Sequence, residues 1–352
     1  MAGSSRMRWA LVASLAGGLA LTILLVLHFG ATAVAAALGA AGVAGLAIIA
    51  AVHLAAIVLM GFAWWLLARA AGKPLVFVWA RLMRDSAAEV LPLSQVGGYV
   101  LGARALVLHG VGAAVAVAAT VVDLTLEMGS QIAYTALGLG LLLWLRPSTT
   151  LAVPVAIGLA LAVIAVVAFV AVQRRGAGVF ERLASRFTRD RLIAIAVSAE
   201  AAQTEIHEIH GHKRGLWSCF ALHLVAWLAS GAEAWLALKL MGASFGIVPV
   251  LALESLLYAV RSVAFIVPNA IGVQEGAYVM LGASFGLTPD FALGLSLLKR
   301  GRDLLLGIPA LLAWQIFESH RLWRRRSLAG PAEPNRSADQ RHQPRREPVR
   351  RA

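Results

Sequence analysis

The chain has 352 residues, of which 60% are hydrophobic and only 14% charged, with a mean hydropathy of +0.78 and a formal net charge of +13. Soluble domains carry about 25% charged residues, so this composition excludes a soluble enzyme, a coiled coil and a disordered scaffold. An all-α, polytopic membrane protein is indicated. The basic surplus flanks apolar runs and fills one tail, the pattern of cytoplasmic membrane faces and not of a nucleic-acid binder.

Arg6 and Arg8 precede an apolar run, Trp9–Phe29, that is followed by the small residues Ala31-Thr32-Ala33. The run is longer than the ~7–15 residues of a signal-peptide core, so it reads as an uncleaved first span. A second span covers Val43–Leu67. Leu124–Leu145 and Leu151–Val172 follow as third and fourth, Leu216–Leu238 as fifth, and a shorter Leu304–Phe317 as the last. Between the fourth and fifth, Gln173–Arg214 sets Phe180, Leu183, Phe187, Leu192, Ile195 and Ala196 among charges. That spacing predicts an amphipathic helix pair near the headgroups. The tail is rich in Pro, Arg and Gln and nearly free of large apolar residues, hence expected to be disordered and to rest on anionic lipid.

Basic clusters at Arg6/Arg8, at Arg69, Lys73, Arg81 and Arg84, at Arg174–Arg214 and at Arg321–Arg326 all fall on one side if these spans are right. Both termini are then cytoplasmic, and the loops Gly30–Gly42 and Arg146–Thr150 face outward. The membrane domain is taken as residues 1–323, with a first repeat about 43–145, a cytoplasmic segment 173–214 and a second repeat about 216–318. Residues 324–352 form the tail. The one cysteine, Cys219, lies in an apolar run, which rules out an intramolecular disulfide.

The repeat shows in rare residues. His53-Leu54 matches His223-Leu224, Gly61 matches Gly231, Trp65-Leu66 matches Trp235-Leu236 and Gly72 matches Gly242, all 170 positions apart. Leu91-Pro92 then corresponds to Val267-Pro268, and Asp123-Leu124 to Asp303-Leu304. Each copy reads as span, interrupted apolar segment, acid, span. The second span enters from outside and its counterpart, the fifth, from inside, so the copies are expected to be inverted. Lys299, Arg300 and Arg302 would then lie near the outer face, against the positive-inside tendency. Either acids such as Asp303 draw them into the protein, or the last crossing is misplaced.

Pro92 and Pro268 each remove a backbone donor and disfavour helix at the preceding residue, and Gly97, Gly98 and Gly272 permit tight turns. Lipid cannot satisfy the freed backbone groups, so such breaks persist at membrane depth only where protein or a polar cavity covers them. Arg81–Leu108 and Glu254–Gly282 are therefore expected to be two re-entrant helix hairpins that meet near mid-membrane, the plan of inverted-repeat transporters. Arg84, Glu89, Gln95 and Arg104 surround the first. Arg261, Asn269, Gln274 and Glu275 surround the second, and Asp123, Glu127, Glu233, Arg302 and Asp303 sit in or beside spans. Ionisable groups there usually face a cavity and pair with one another. They make a candidate path for a lipid headgroup, with Arg84, Arg104 and Arg261 suited to phosphate or hydroxyls and Glu275 and Asp123 to acceptor roles.

The segments Leu91-Pro-Leu-Ser-Gln-Val-Gly-Gly98 with Arg104, and Val267-Pro-Asn-Ala-Ile-Gly-Val-Gln-Glu275, resemble the membrane motifs of the flippase-like domain of lysylphosphatidylglycerol synthases. Arg84-Asp-Ser-Ala-Ala-Glu-Val-Leu-Pro92 resembles especially the hopanoid-biosynthesis-associated branch of that superfamily. The resemblance, over about Met7–Trp323, implies a bacterial inner-membrane protein that translocates or handles a polar lipid, a hopanoid or a phospholipid. It implies membrane lipids, and enzymes of lipid biosynthesis, as partners. No segment is long enough for the aminoacyl-transferring domain. The competing readings are an intramembrane lipid-modifying transferase and a non-transporting scaffold of a lipid-synthesis complex. A transferase would need clustered acids for a metal–phosphate unit, and Asp123/Glu127 is the one close carboxylate pair. His207, His210 and His212 with Glu205 and Glu208 lack the spacing of a zinc protease motif and read as a solvated helix face. No phosphate-cradling glycine loop is present. Neither catalytic residues, nor a metal site, nor a cofactor is expected, and the balance is against an enzyme.

Overall fold

The computed structural model describes residues 20, 23–28, 31–68, 71–90, 94–150, 152–175, 189–263 and 267–328. Among them the chain is α-helical throughout, apart from turns and one 3₁₀ turn. The helices in order are α1 (Ala31–Leu67), α2 (Pro74–Val90), α3 (Ser94–Leu108), α4 (Ala113–Leu145), α5 (Ala152–Arg175), α6 (Arg189–Gly211), α7 (Lys213–Leu240) and α8 (Ile247–Val263). The 3₁₀ turn Pro268–Ala270, α9 (Val273–Phe285) and α10 (Pro289–Leu328) complete them. Most of the expected first span, residue Pro92, part of the amphipathic segment and the tail from residue 329 lie outside the described residues. α10 carries helix past residue 323, where the tail was expected to begin. The chain divides into two compact units, Met1–Leu311 and Leu312–Ala352; the described residues of the second are helical.

Among the described residues four helices are long and apolar enough to cross a membrane: α1, α4, α7 and α5 over Ala152–Gln173. α5 makes the case most directly. It buries none of its most apolar window, and Leu161, Ile164 and Val167 are each about 60% exposed on its flank. In water such a face would be an aggregation site; against hydrocarbon it is the expected surface. The protein is a multi-pass, all-α membrane protein.

The residues matched between the two halves of the sequence occupy comparable places between helices. In the first, α1 packs on α2 through Gly61, where an added Cβ would lie 2.6 Å from the Val78 Cα. In the second, α7 packs on α8 through Gly231, where it would lie 2.5 Å from Leu251 Cδ2 and 2.6 Å from the Tyr134 hydroxyl. Small residues at these two points let helices approach closely, to backbone contact at Gly61 and to side-chain tips at Gly231, which is how helices associate where no hydrophobic force distinguishes lipid from neighbour. The matched tryptophans serve matched turns. Trp65 Nε1 donates to the Gly72 carbonyl and Trp235 Nε1 to that of Phe245, both at 3.0 Å.

Both proline-containing segments are broken into helix pairs. α2 and α3 run antiparallel: Gly98 faces the Arg84 carbonyl, and Gly102 faces Ala80 and Arg84. These two glycines, four apart on α3, bring its backbone against α2. α2 ends at Val90 and α3 starts at Ser94. The second break is better defined. α8 ends at Val263, the 3₁₀ turn follows, and Asn269 (φ 50°) and Ala270 (φ 46°) occupy the left-handed region before Gly272 (φ 81°) starts α9. An alanine there is strained by order 1 kcal/mol or more, so the surroundings must hold it. Helix arms that touch at Glu254 and Tyr278 fold α9 back along α8.

Candidate functional site

The charged residues of the helical core form four groups, each at a junction of helices. The first lies between α2, α4 and α7. Arg81 donates through Nη2 to Glu127 Oε1 at 2.7 Å and through Nε to Asp85 at 2.8 Å. Arg84 donates to Asp123 Oδ2 at 2.9 Å, bonds Glu127 as well, and stacks its guanidinium 4.1 Å from the centre of the Tyr99 ring. His223 Nε2 meets Asp123 Oδ1 at 2.9 Å, and the Cys219 thiol lies 3.8 Å from the same oxygen. Asp123, Cys219 and His223 are fully buried, and their ligating atoms lie within 4.8 Å of one another. Oxygen, sulfur and nitrogen donors at such separations could hold a metal ion.

The second group joins α1, α7 and α10. Glu233 bonds both Arg302 and His53 Nδ1, the latter at 3.1 Å, and Arg302 also donates to Asp303 at 2.6 Å. In the third, between α8, α9 and α10, Lys299 Nζ donates to Glu254 Oε2 at 2.6 Å and the Tyr278 hydroxyl to Oε1 at 2.5 Å. Beside it Glu275 caps α9, accepting from the Gly272 N–H at 2.7 Å, from Ser296 at 2.8 Å and from Arg300 Nε at 2.6 Å. The carboxylate thereby satisfies an N-terminal donor of α9 and favours the helix dipole, while Arg300 ties the break to α10. Gln274 Nε2 donates to Ser296 Oγ at 2.8 Å.

The fourth group links the two hairpins at their breaks. Arg261, at the end of α8, donates to both carboxylate oxygens of Glu89 at 3.0 and 3.2 Å. Asn269 Nδ2 donates to the Glu89 backbone carbonyl at 2.8 Å, and its own Oδ1 accepts from Arg261 at 3.3 Å. Glu89 is one residue from the end of α2, so the link joins the last turn of one helix to the break of the other. Next to it opens a crevice between α1, α2 and α10, lined by His53, Asp85, Ser86, Glu89 and Asp303 on its polar side. Ile57, Leu82 and Leu306 line its apolar side. It has room for about one water molecule.

Of the residues singled out from sequence, Glu89, Arg261 and Asn269 come together in the link, and Asp303 reaches the crevice. Arg84, Asp123 and Glu127 converge in the first group, Glu233 and Arg302 in the second, and Gln274 and Glu275 around the start of α9. Gly98 lies under Arg84, Gly272 precedes α9 and Pro268 starts the 3₁₀ turn. Gln95, Gly97 and Arg104 lie on α3, Gly97 and Arg104 exposed. The basic run Lys299, Arg300, Arg302 is drawn inward: each is bonded to an acid, Glu254, Glu275 and Glu233 respectively. Sequence reasoning did not assign site roles to Arg81, Lys299, Arg300, Tyr278 or the two histidines. The histidines carried a signal, since they fall at matched positions of the two repeats.

Compared with known proteins, residues 11–310 match the family model described as lysylphosphatidylglycerol synthase TM region. No curated protein matches the chain, and no solved structure does.

Proposed function

The chain belongs to the family of the lysylphosphatidylglycerol synthase TM region, membrane proteins of lipid handling, and from that premise we propose that it moves a polar lipid across the bilayer. The headgroup passes along the crevice between α1, α2 and α10, and the two hairpins, oppositely oriented in the membrane, shape the path. The observation that carries this reading is the pairing of the breaks. Two interrupted helices are tied to each other through Glu89, Arg261 and Asn269, next to an amphipathic crevice. A backbone break is tolerated at membrane depth only beside protein or a polar cavity, and here both are supplied. Acids, a serine and a histidine face aliphatic side chains across the crevice, the kind of lining a headgroup and its first acyl carbons would meet, and with room for about one water molecule it must widen to admit them.

The lipid is a hopanoid or a phospholipid of a bacterial inner membrane, with both chain termini on the cytoplasmic side. The test is reconstitution into liposomes carrying lipid labelled in both leaflets, followed by chemical quenching from outside. Quenching of the inner-leaflet label, faster than in protein-free liposomes and slowed severalfold by Asp303→Asn, is the expected result. Equal rates with and without the protein for both lipid classes would overturn the proposal. Product formed from a lipid precursor without net movement would favour a transferase instead.

A further inference from the structure

We propose that Asp123, Cys219 and His223 form a binding site for a zinc-class metal ion that fastens α4 to α7. Cys219 and His223 stand four residues apart on α7, so they share one face of the helix, a spacing at which side chains meet. Asp123 approaches that face from α4, and all three side chains are fully buried. Imidazole and carboxylate are 2.9 Å apart, thiol and carboxylate 3.8 Å, separations compatible with ligands of one ion at bond lengths of about 2.0–2.3 Å. The thiol selects against calcium and magnesium, which take oxygen donors, and the mixed set suits zinc.

Charge balance points the same way. Within this group the guanidiniums of Arg81 and Arg84 are bonded to three carboxylates, Asp85, Asp123 and Glu127. A single positive charge would balance them. A divalent ion held by a Cys219 thiolate supplies that charge.

Metal content tests this without any lipid assay, so its outcome is separate from that of lipid movement. The full chain, purified in detergent and stripped with a chelator, is loaded with zinc or with cobalt and freed of excess. The expected result is about one zinc per chain, and a near-ultraviolet thiolate-to-cobalt charge-transfer band in the cobalt form. Cys219→Ser changes one atom, so the variant should fold; it should lose the band and bind zinc at least tenfold more weakly. His223→Gln should also lower the affinity. Wild-type protein that retains no more zinc than Cys219→Ser, or shows no charge-transfer band with cobalt, overturns the site.

Discussion

His53 and His223 stand at matched positions of the two repeats, and each bonds a carboxylate of the other copy, Glu233 and Asp123 respectively. Their surroundings differ. His223 is fully buried with Asp123, Cys219 and the arginines of α2, whereas the His53 side chain is 24% exposed and lines the crevice. The same histidine–carboxylate pairing thus stands sealed in one place and beside a crevice in the other. The lesson is about cost. In the sealed group every charge must be matched, because an unpartnered ion there has no water to turn to. At the crevice a charge can be left to solvent or to a headgroup, so chemistry can change without unfolding the chain.

The sharpest way to break this comparison is Arg84→Ala. It strands Asp123 and Glu127 beside one guanidinium fewer, and should destabilise the protein by about 3–5 kcal/mol. Thermal unfolding in detergent and the yield of monodisperse protein measure it; a variant as stable as wild type would mean the group is wet. Next come Gly61→Ala and Gly231→Ala, whose methyl groups would meet Val78 and Leu251. Each should cost about 1–3 kcal/mol, Gly61→Ala the more, because the Val78 backbone cannot give way as the Leu251 and Tyr134 side-chain tips can; an equal or reversed order in thermal unfolding would contradict these contacts.

A smaller effect is expected at the hairpin link. Glu89→Gln keeps the shape but loses the charge facing Arg261, at a cost of about 1–2 kcal/mol. It should also raise the labelling rate of a cysteine placed at Gly97, on the exposed side of α3; an unchanged rate would argue against a link that restrains the hairpins. Last, Asp303→Asn keeps the shape but loses the charge facing Arg302, both side chains being largely buried, and should cost about 1 kcal/mol while slowing lipid movement. Loss of stability as large as that of Arg84→Ala would erase the distinction between the sealed and open groups.

How far the fold could be read from the chain varies by feature. The apolar runs identified helices matching α4, α5 and α7 and most of α1, since a membrane helix is specified by length and apolarity alone. α4 begins earlier than expected, at Ala113, because an alanine-rich flank continues a helix without adding an apolar signal as strong as leucine; within α1 a break at Gly42 (φ 61°) falls where the span Val43–Leu67 was expected to begin, and residues 31–41, expected as an outward loop, are helical. The matched spacing was legible because histidine, tryptophan and proline are rare enough for their spacing to mean something. Partner choice was not legible. Glu275, expected to offer an acceptor to a ligand, is occupied by its own helix terminus and by Arg300, and Arg84 is spent on Asp123 and Glu127.

By itself, then, the sequence determined that this is an α-helical membrane protein of several spans, with two proline-containing segments that one long helix does not fill. Those properties follow from composition, period and local backbone chemistry, which act over a few residues. Only the tertiary structure decided which acid meets which base, that Lys299, Arg300 and Arg302 turn inward, and that one histidine is sealed while its counterpart faces a crevice. Such choices depend on groups 25 to 180 residues apart converging in space, and the electrostatic energy that selects them exists only once helices have packed and excluded solvent.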